Sequence, residues 1–284
     1  KKIVVAGGGV LGSQIAYQSA YCGFDVTIWL RSEGSIGRCQ PKLDHLKQTY
    51  AETIELMNTP EGKTKEKWAH GIADFDSFDK DECLQKSETA YNGIKLELDL
   101  GKAVSDADLV IESVAEKEDE KIAFLQMMAP LLPEKTIIVT NSSTILPSRL
   151  TKYTGRPDKF LSLHFANSIW KNNTAEIMMQ PKTDKASFDA IVAFAEAIRM
   201  VPLPVLKEKE GYLLNSMLIP LLFSALDLYA NGISDPESID KAWTLGTGSP
   251  KGPFRIIDTV GLVTAQNIVS KYVRIPSFLA PYNF

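Results

Sequence analysis

Residues 1–32 read KKIVVAGGGVLGSQIAYQSAYCGFDVTIWLRS, and this stretch decides the fold. Ile3, Val4, Val5 and Ala6 form a short apolar, β-branched run, the pattern of a strand buried on both faces. Gly7, Gly9 and Gly12 follow at G-x-G-x-x-G spacing. Ile15, Ala16 and Ala20 then recur at helical spacing, and Val26 to Trp29 form a second strand. Gly7 allows a tight turn, Gly9 lets the backbone approach a pyrophosphate, and Gly12 lets helix and strand pack closely. Val10 and Leu11 complete the turn into a helix whose free N–H groups point at phosphates. The glycine spacing alone is a weak signal. Strand, glycines, helix and second strand within about 30 residues are the context that makes it a dinucleotide site.

Working outward, the chain has 284 residues, of which 44% are hydrophobic, enough for two domains. Its net charge of −4 offers no basic surplus for a nucleic-acid partner. Cys22, Cys39 and Cys83 are scattered without a C-x-x-C. They fit neither a disulfide framework nor a metal site and suggest a reducing compartment, the cytoplasm. No signal-peptide pattern precedes the first strand, and no apolar run is long enough to span a bilayer. The apolar stretch Tyr212–Tyr229 is interrupted by Asn215, Ser216, Pro220, Ser224 and Asp227 and reads as a buried core helix.

After Ser32, the polar Glu33 to Gly37 reads as a loop, and Pro41 to Met57 as a helix with a stripe at Leu43, Leu46, Tyr50, Ile54 and Met57. The lysine-rich residues 60–67 read as a solvated helix end or loop. Asn92-Gly93 marks a turn before a half-exposed strand at Ile94, Leu96 and Leu98. Strands follow at Leu109 to Val114, Ile137 to Thr140, Leu161 to Phe165 and Glu176 to Met179. A proline-bearing edge strand follows at Val201 to Val205. Helices are expected at Glu116 to Ala129 and Ala186 to Arg199. This alternation predicts an α/β fold, a Rossmann-type doubly wound and mostly parallel sheet, over residues 1–206. Beyond Leu206 only helices are expected, so residues 207–284 form an all-α domain. One of its helices opens at Asp235-Pro236 and another at Gly252-Pro253.

Ligands of doubly wound sheets sit at the carboxyl ends of the strands. Asn141, Ser142 and Ser143 follow the strand 137–140, and His164 nearly ends the strand 161–165. Glu176 lies far enough on for one loop and the start of the next strand. A dehydrogenase needs a base for the hydroxyl proton, and histidine suits that task near neutral pH. A carboxylate on the other ring nitrogen fixes the tautomer, and Glu176 could supply it. Ser143 or Asn215 could hold the substrate oxygen. Each also has a plain reading: a hydrogen-bonded structural histidine, a helix-capping serine, an amide that must find some partner within an apolar helix. Spacing alone reaches only a nicotinamide-dependent oxidoreductase.

VVAGGGVLGSQIA, TNSST, LHFAN, Glu176, LLNSMLIP and DPESIDKAWTLGTGSPKGPFRIIDTVGL, in this order, resemble the 3-hydroxyacyl-CoA dehydrogenase family across essentially the whole chain. The resemblance implies oxidation of the 3-hydroxyl of an acyl-CoA with NAD, a step of fatty acid metabolism. In it, His164 matches the catalytic histidine, Glu176 its paired glutamate, and Ser143 and Asn215 the assisting serine and asparagine. Glu116 and Lys121 match cofactor-side positions, and Asn141 lies beside the nicotinamide. Three departures stand out. The family's HFFNP is here His164-Phe165-Ala166-Asn167-Ser168. Its acid for the adenosine ribose is replaced by Leu30, followed by Arg31 and Ser32, which brings NADP into consideration beside NAD. The sequence also stops at Phe284, before the family's Gly-rich aromatic tail. Two rival readings are a dehydrogenase of a free hydroxy acid or sugar acid, and a non-catalytic, crystallin-like cofactor binder. Trp243, Leu245, Phe254, Ile256, Ile257, Val260 and Leu262 give the small helical domain more apolar side chains than it can bury alone, so a homodimer is expected.

Overall fold

A computed structural model describes residues 1–65, 68–262, 265 and 266. Two compact units emerge, Lys1–Tyr212 and a second beginning at Leu213. The first unit runs β1 (Lys2–Ala6), α1 (Val10–Tyr21), β2 (Asp25–Trp29), α2 (Glu33–Met57), α3 (Lys80–Gly93), β3 (Lys95–Glu97), α4 (Leu100–Val104) and β4 (Leu109–Glu112). It continues with α5 (Glu118–Met128), β5 (Ile137–Thr140), α6 (Pro147–Leu150), β6 (Phe160–Phe165), β7 (Thr174–Met178), α7 (Lys185–Ala197) and β8 (Val201–Val205).

The eight strands form one sheet in the order β3-β2-β1-β4-β5-β6-β7-β8. Every pairing is parallel except β6 with β7. Alternate residues of a strand face opposite sides. Ile3 and Val5 therefore join one apolar layer with Ile15, Tyr50 and Ile191, while Val4 and Ala6 join the other with Phe124, Leu125 and Leu150. Helices cover both faces, which is why Ile3 to Ala6 read as a continuous apolar run. Pro202 and Pro204 lie in the edge strand β8, whose outer side needs no N–H donors.

Two local expectations are corrected. Residues 33–37 are not a loop, because α2 begins at Glu33. Ser32 stands in extended conformation as its N-cap and Glu33 sits in its first turn, where an acid is favourable. Asn92 and Gly93 end a helix, α3, rather than forming an isolated turn. The residues that α3 buries are Cys83, Ser87 and Ala90, small side chains at helical spacing that leave no large apolar stripe to read.

The expected domain boundary after Leu206 falls a few residues before the observed division. Segment 207–212 stays with the first unit because the Lys209 N–H donates to Met178 Sδ at 3.2 Å and Tyr212 packs on His164.

The second unit holds α8 (Leu214–Ala230), α9 (Pro236–Thr247) and α10 (Pro253–Val260), and among the described residues no strand follows β8. Asp235 caps α9 by accepting from the Ser238 N–H at 3.0 Å. Asp240 accepts from the N–H groups of Phe254 and Arg255 at 2.8 and 3.1 Å, tying α9 to the start of α10. A side chain on Gly252 would meet Asp240 Cγ at 2.3 Å, which is why glycine precedes Pro253. The expected buried core helix is met in part: α8 buries Phe223 and Ala225, while Met217 and Tyr229 stay exposed. A unit this small lacks the surface to cover every apolar residue of such a helix.

Candidate active site

The sheet's strand order reverses between β1 and β4, and a cavity of about 790 Å³ opens at their carboxyl ends. Gly7 to Gly12 form one wall, with Trp29 at the end of β2, Leu30 and Arg31 after it, Ser113 to Ala115 after β4, and Phe124 and Met127 from α5. Gly7 has φ +117°, and a Cβ there would meet Ser113 O at 2.4 Å. A Cβ on Gly12 would meet Gly7 O at 2.1 Å, so the turn and the close helix approach both require glycine. Gly9 differs, because its missing side chain would touch nothing within 4 Å. The space it leaves is room for a ligand against the backbone. Gly9 caps α1 without a side-chain hydrogen bond, and the first turn holds no acid, so its N–H groups are left for an anion.

The second cluster lies at β5 and β6. His164 and Glu176 are directly opposite in the β6–β7 ladder, so both side chains leave the same face. His164 Nδ1 lies 3.0 Å from Glu176 Oε2, and its Nε2 lies 3.0 Å from Ser143 Oγ. An ionised carboxylate only accepts, so Nδ1 carries the proton in this arrangement and Nε2 is left as an acceptor. Both side chains of the pair are buried, at 7% and 4% exposure. Sequence spacing suggested the pair. The antiparallel turn between β6 and β7, which sets them face to face, was not legible there.

Ser143 is held by its loop. Glu116 Oε1 accepts from Ser142 Oγ at 2.6 Å, from the N–H groups of Ser143 and Thr144 at 2.9 Å, and from Thr144 Oγ1 at 2.9 Å. Burial pushes the Glu116 carboxyl up, but the Ser142 hydroxyl, the Lys121 charge and Thr144 outweigh it and hold it below its ordinary value. Glu116 thus clamps the loop that carries Ser143. Lys121 is wholly buried, with its ammonium 2.7 Å from Glu112 and 3.4 Å from Glu116. Its side chain is not among those that line the cavity. Asn141 is 9% exposed and its Oδ1 has no hydrogen-bond partner, an orphan acceptor between the cavity and the histidine. That orphan and the Gly9 space fit a nicotinamide dinucleotide. Asn215 lies half-buried in the first turn of α8, in the second unit.

One contributor escaped the sequence reading. Tyr212 stacks on His164 with ring centroids 4.4 Å apart and planes 13° from parallel. Its hydroxyl donates to Ser142 O at 2.8 Å, so one side chain braces both the imidazole and the serine loop. Burial pushes the Tyr212 phenol up, so it stays a neutral donor. It holds φ +52° directly after Gly211 at +78°, a left-handed pair that turns the ring inward. Ser168, which the sequence marks at the place of the family's proline, shapes the loop after β6. Ser168 has φ +59°, which a proline ring forbids, and its N–H donates to Gln14 Oε1 at 2.8 Å, a donor that proline lacks. The loop after β6 is therefore tied to α1 by a bond that a proline at this position could not make.

The model of the 3-hydroxyacyl-CoA dehydrogenase NAD binding domain matches residues 2–209, and that of the C-terminal domain matches residues 211–277. The 3-hydroxybutyryl-CoA dehydrogenase of Clostridioides difficile is 32% identical over 263 residues, covering 92% of this chain and 83% of that protein. The human mitochondrial hydroxyacyl-coenzyme A dehydrogenase is 29% identical, covering 95% and 79%. A solved diketoreductase, described as acting on dicarbonyl compounds, is 46% identical with a TM-score of 0.83 and covers 95% of this chain and 87% of its own. Matched from the first strand into the helical unit, the chain belongs to the 3-hydroxyacyl-CoA dehydrogenase family of NAD-binding oxidoreductases.

Proposed function

We propose that the chain transfers a hydride between NAD and C3 of a 3-hydroxyacyl-CoA, with His164 as the acid–base group. The carrying observation is the line Ser143 Oγ, His164 Nε2, His164 Nδ1, Glu176 Oε2, with 3.0 Å at each hydrogen bond. NAD, when bound, supplies the hydride acceptor. His164 Nε2 takes the C3 hydroxyl proton in oxidation and returns it to the carbonyl oxygen in reduction. Glu176 fixes the tautomer and stabilises the imidazolium. Ser143 donates to the reacting oxygen, and Asn215 serves the same oxygen or the thioester. Tyr212 lays an aromatic face on the ring that becomes cationic, a favourable arrangement where water is excluded.

The diketoreductase relative favours a second reading, a carbonyl substrate without CoA. The two are separated by following the reduced-nicotinamide band with acetoacetyl-CoA and with free acetoacetate. Higher kcat/KM for the thioester is expected. Turnover of the free acid alone would replace the first reading with the second.

The unit that begins at Leu213 serves as a dimerisation surface in this reading. Ile257 is buried, but Leu245 is 84% and Leu262 70% exposed. A two-fold dimer that covers them is the expected assembly. Sedimentation at micromolar concentration should give a dimer, and a monomer would refute it. Among the described residues no helix is long and apolar enough to cross a membrane. The cysteines are all unpaired, which suits the reducing conditions of the cytoplasm.

A further inference from the structure

The cavity carries a charge pattern that the NAD reading leaves unused. Arg31, Arg38 and Lys42 line it together at the corner where β2 runs into α2, and Glu120 is the one carboxylate among its lining residues. In a site for an unphosphorylated adenosine ribose, the end of β2 presents an acid that accepts from the 2′-hydroxyl and repels a 2′-phosphate. Here that position is Leu30, turned inward at 3% exposure. The next side chain, Arg31, is 72% exposed.

The cations are arranged for an anion. Arg38 Nη2 donates to Ser35 Oγ at 3.0 Å, and Ser35 Oγ lies 3.0 Å from Ser32 Oγ. Lys42 donates to the Arg38 carbonyl one turn earlier, which keeps its ammonium on the same side of α2. Two guanidinium forks and two hydroxyls thus sit around one corner, the donor set that a phosphate dianion accepts. Glu120 is the opposing group. It holds Lys117 at 2.9 Å and Arg31 only at 3.4 Å, so Lys117 still balances it when Arg31 turns to another anion.

We infer that this corner is a 2′-phosphate subsite and that the chain binds NADP(H) as well as NAD(H). The inference rests on the nicotinamide-cofactor reading of the cavity and extends it.

The test is calorimetric and needs no turnover. The full chain is titrated with 2′,5′-ADP and with 5′-AMP. The diphosphate should bind about tenfold or more tightly, since a charge-assisted hydrogen bond contributes about 1.5–3 kcal/mol. Arg31→Ala and Arg38→Ala, both at exposed positions, should each weaken 2′,5′-ADP far more than 5′-AMP, and more so at low salt. Equal affinity for the two nucleotides, or equal losses in the variants, would overturn the subsite while leaving the cofactor cavity in place. Failure of both nucleotides to bind would overturn the cavity assignment and the subsite with it.

Discussion

His164→Ala is expected to lower kcat by about 10²–10⁴, the range that a positioned acid–base group contributes, with cofactor affinity nearly unchanged. The geometry separates the two effects. His164 belongs to β6, while the cavity of the glycine turn is built from β1, β2, β4 and α5. Removing the imidazole leaves Glu176 without the donor at 3.0 Å, so some loss of stability accompanies the loss of rate. Glu176→Gln keeps the size and an acceptor but no longer offsets the imidazolium charge. It should cost less than His164→Ala, and proportionally more at low pH than at high pH if its main role is to hold the imidazolium formed in oxidation. Steady-state kinetics with separate cofactor titration checks both. Near-normal turnover of His164→Ala would remove the acid–base assignment.

Lys121→Met is expected to destabilise the first unit by about 3–5 kcal/mol, through the carboxylate it strands. Glu112 is wholly buried at the end of β4. It accepts from Lys121 Nζ at 2.7 Å, Thr140 Oγ1 at 2.6 Å and the Val114 N–H at 2.9 Å. Without the ammonium, one buried charge loses its counter-charge. The double variant Lys121→Met with Glu112→Leu removes both charges and should recover much of the loss, because an apolar pair of similar volume is often neutral or better. Denaturant unfolding of the single and double variants measures this. A single variant as stable as the parent would mean that the pair does not hold β4 and α5 together.

The first βαβ unit was legible because its signals are local: a run buried on both faces, three glycines at fixed spacing, a second strand. The order from TNSST through LHFAN to Glu176 was legible by resemblance. What stayed hidden depends on distant parts of the chain. Tyr212 reads as the start of an apolar helix, and only the fold brings its ring 4.4 Å from that of His164, far back in the sequence. Lys121 was legible only by resemblance, as a cofactor-side position, and its burial against Glu112 emerges only in the fold. Helix α3 escaped because its buried face is made of Cys83, Ser87 and Ala90. Residues 33–37 read as a loop from their two glycines and a serine, but the apolar stripe that begins at Cys39 carries the helix back to Glu33. Lys67, grouped with Lys63 and Lys65 in the lysine-rich stretch, lies outside the described residues.

The central claim is that hydride passes between a nicotinamide and C3 of an acyl thioester. Reduction of acetoacetyl-CoA with NADH deuterated at the transferable C4 position, followed by mass spectrometry of the product, tests it most directly. The account predicts 3-hydroxybutyryl-CoA carrying the label at C3, formed in step with loss of the reduced-nicotinamide band. Product without the label at C3, or no product while the nucleotide binds, would contradict it.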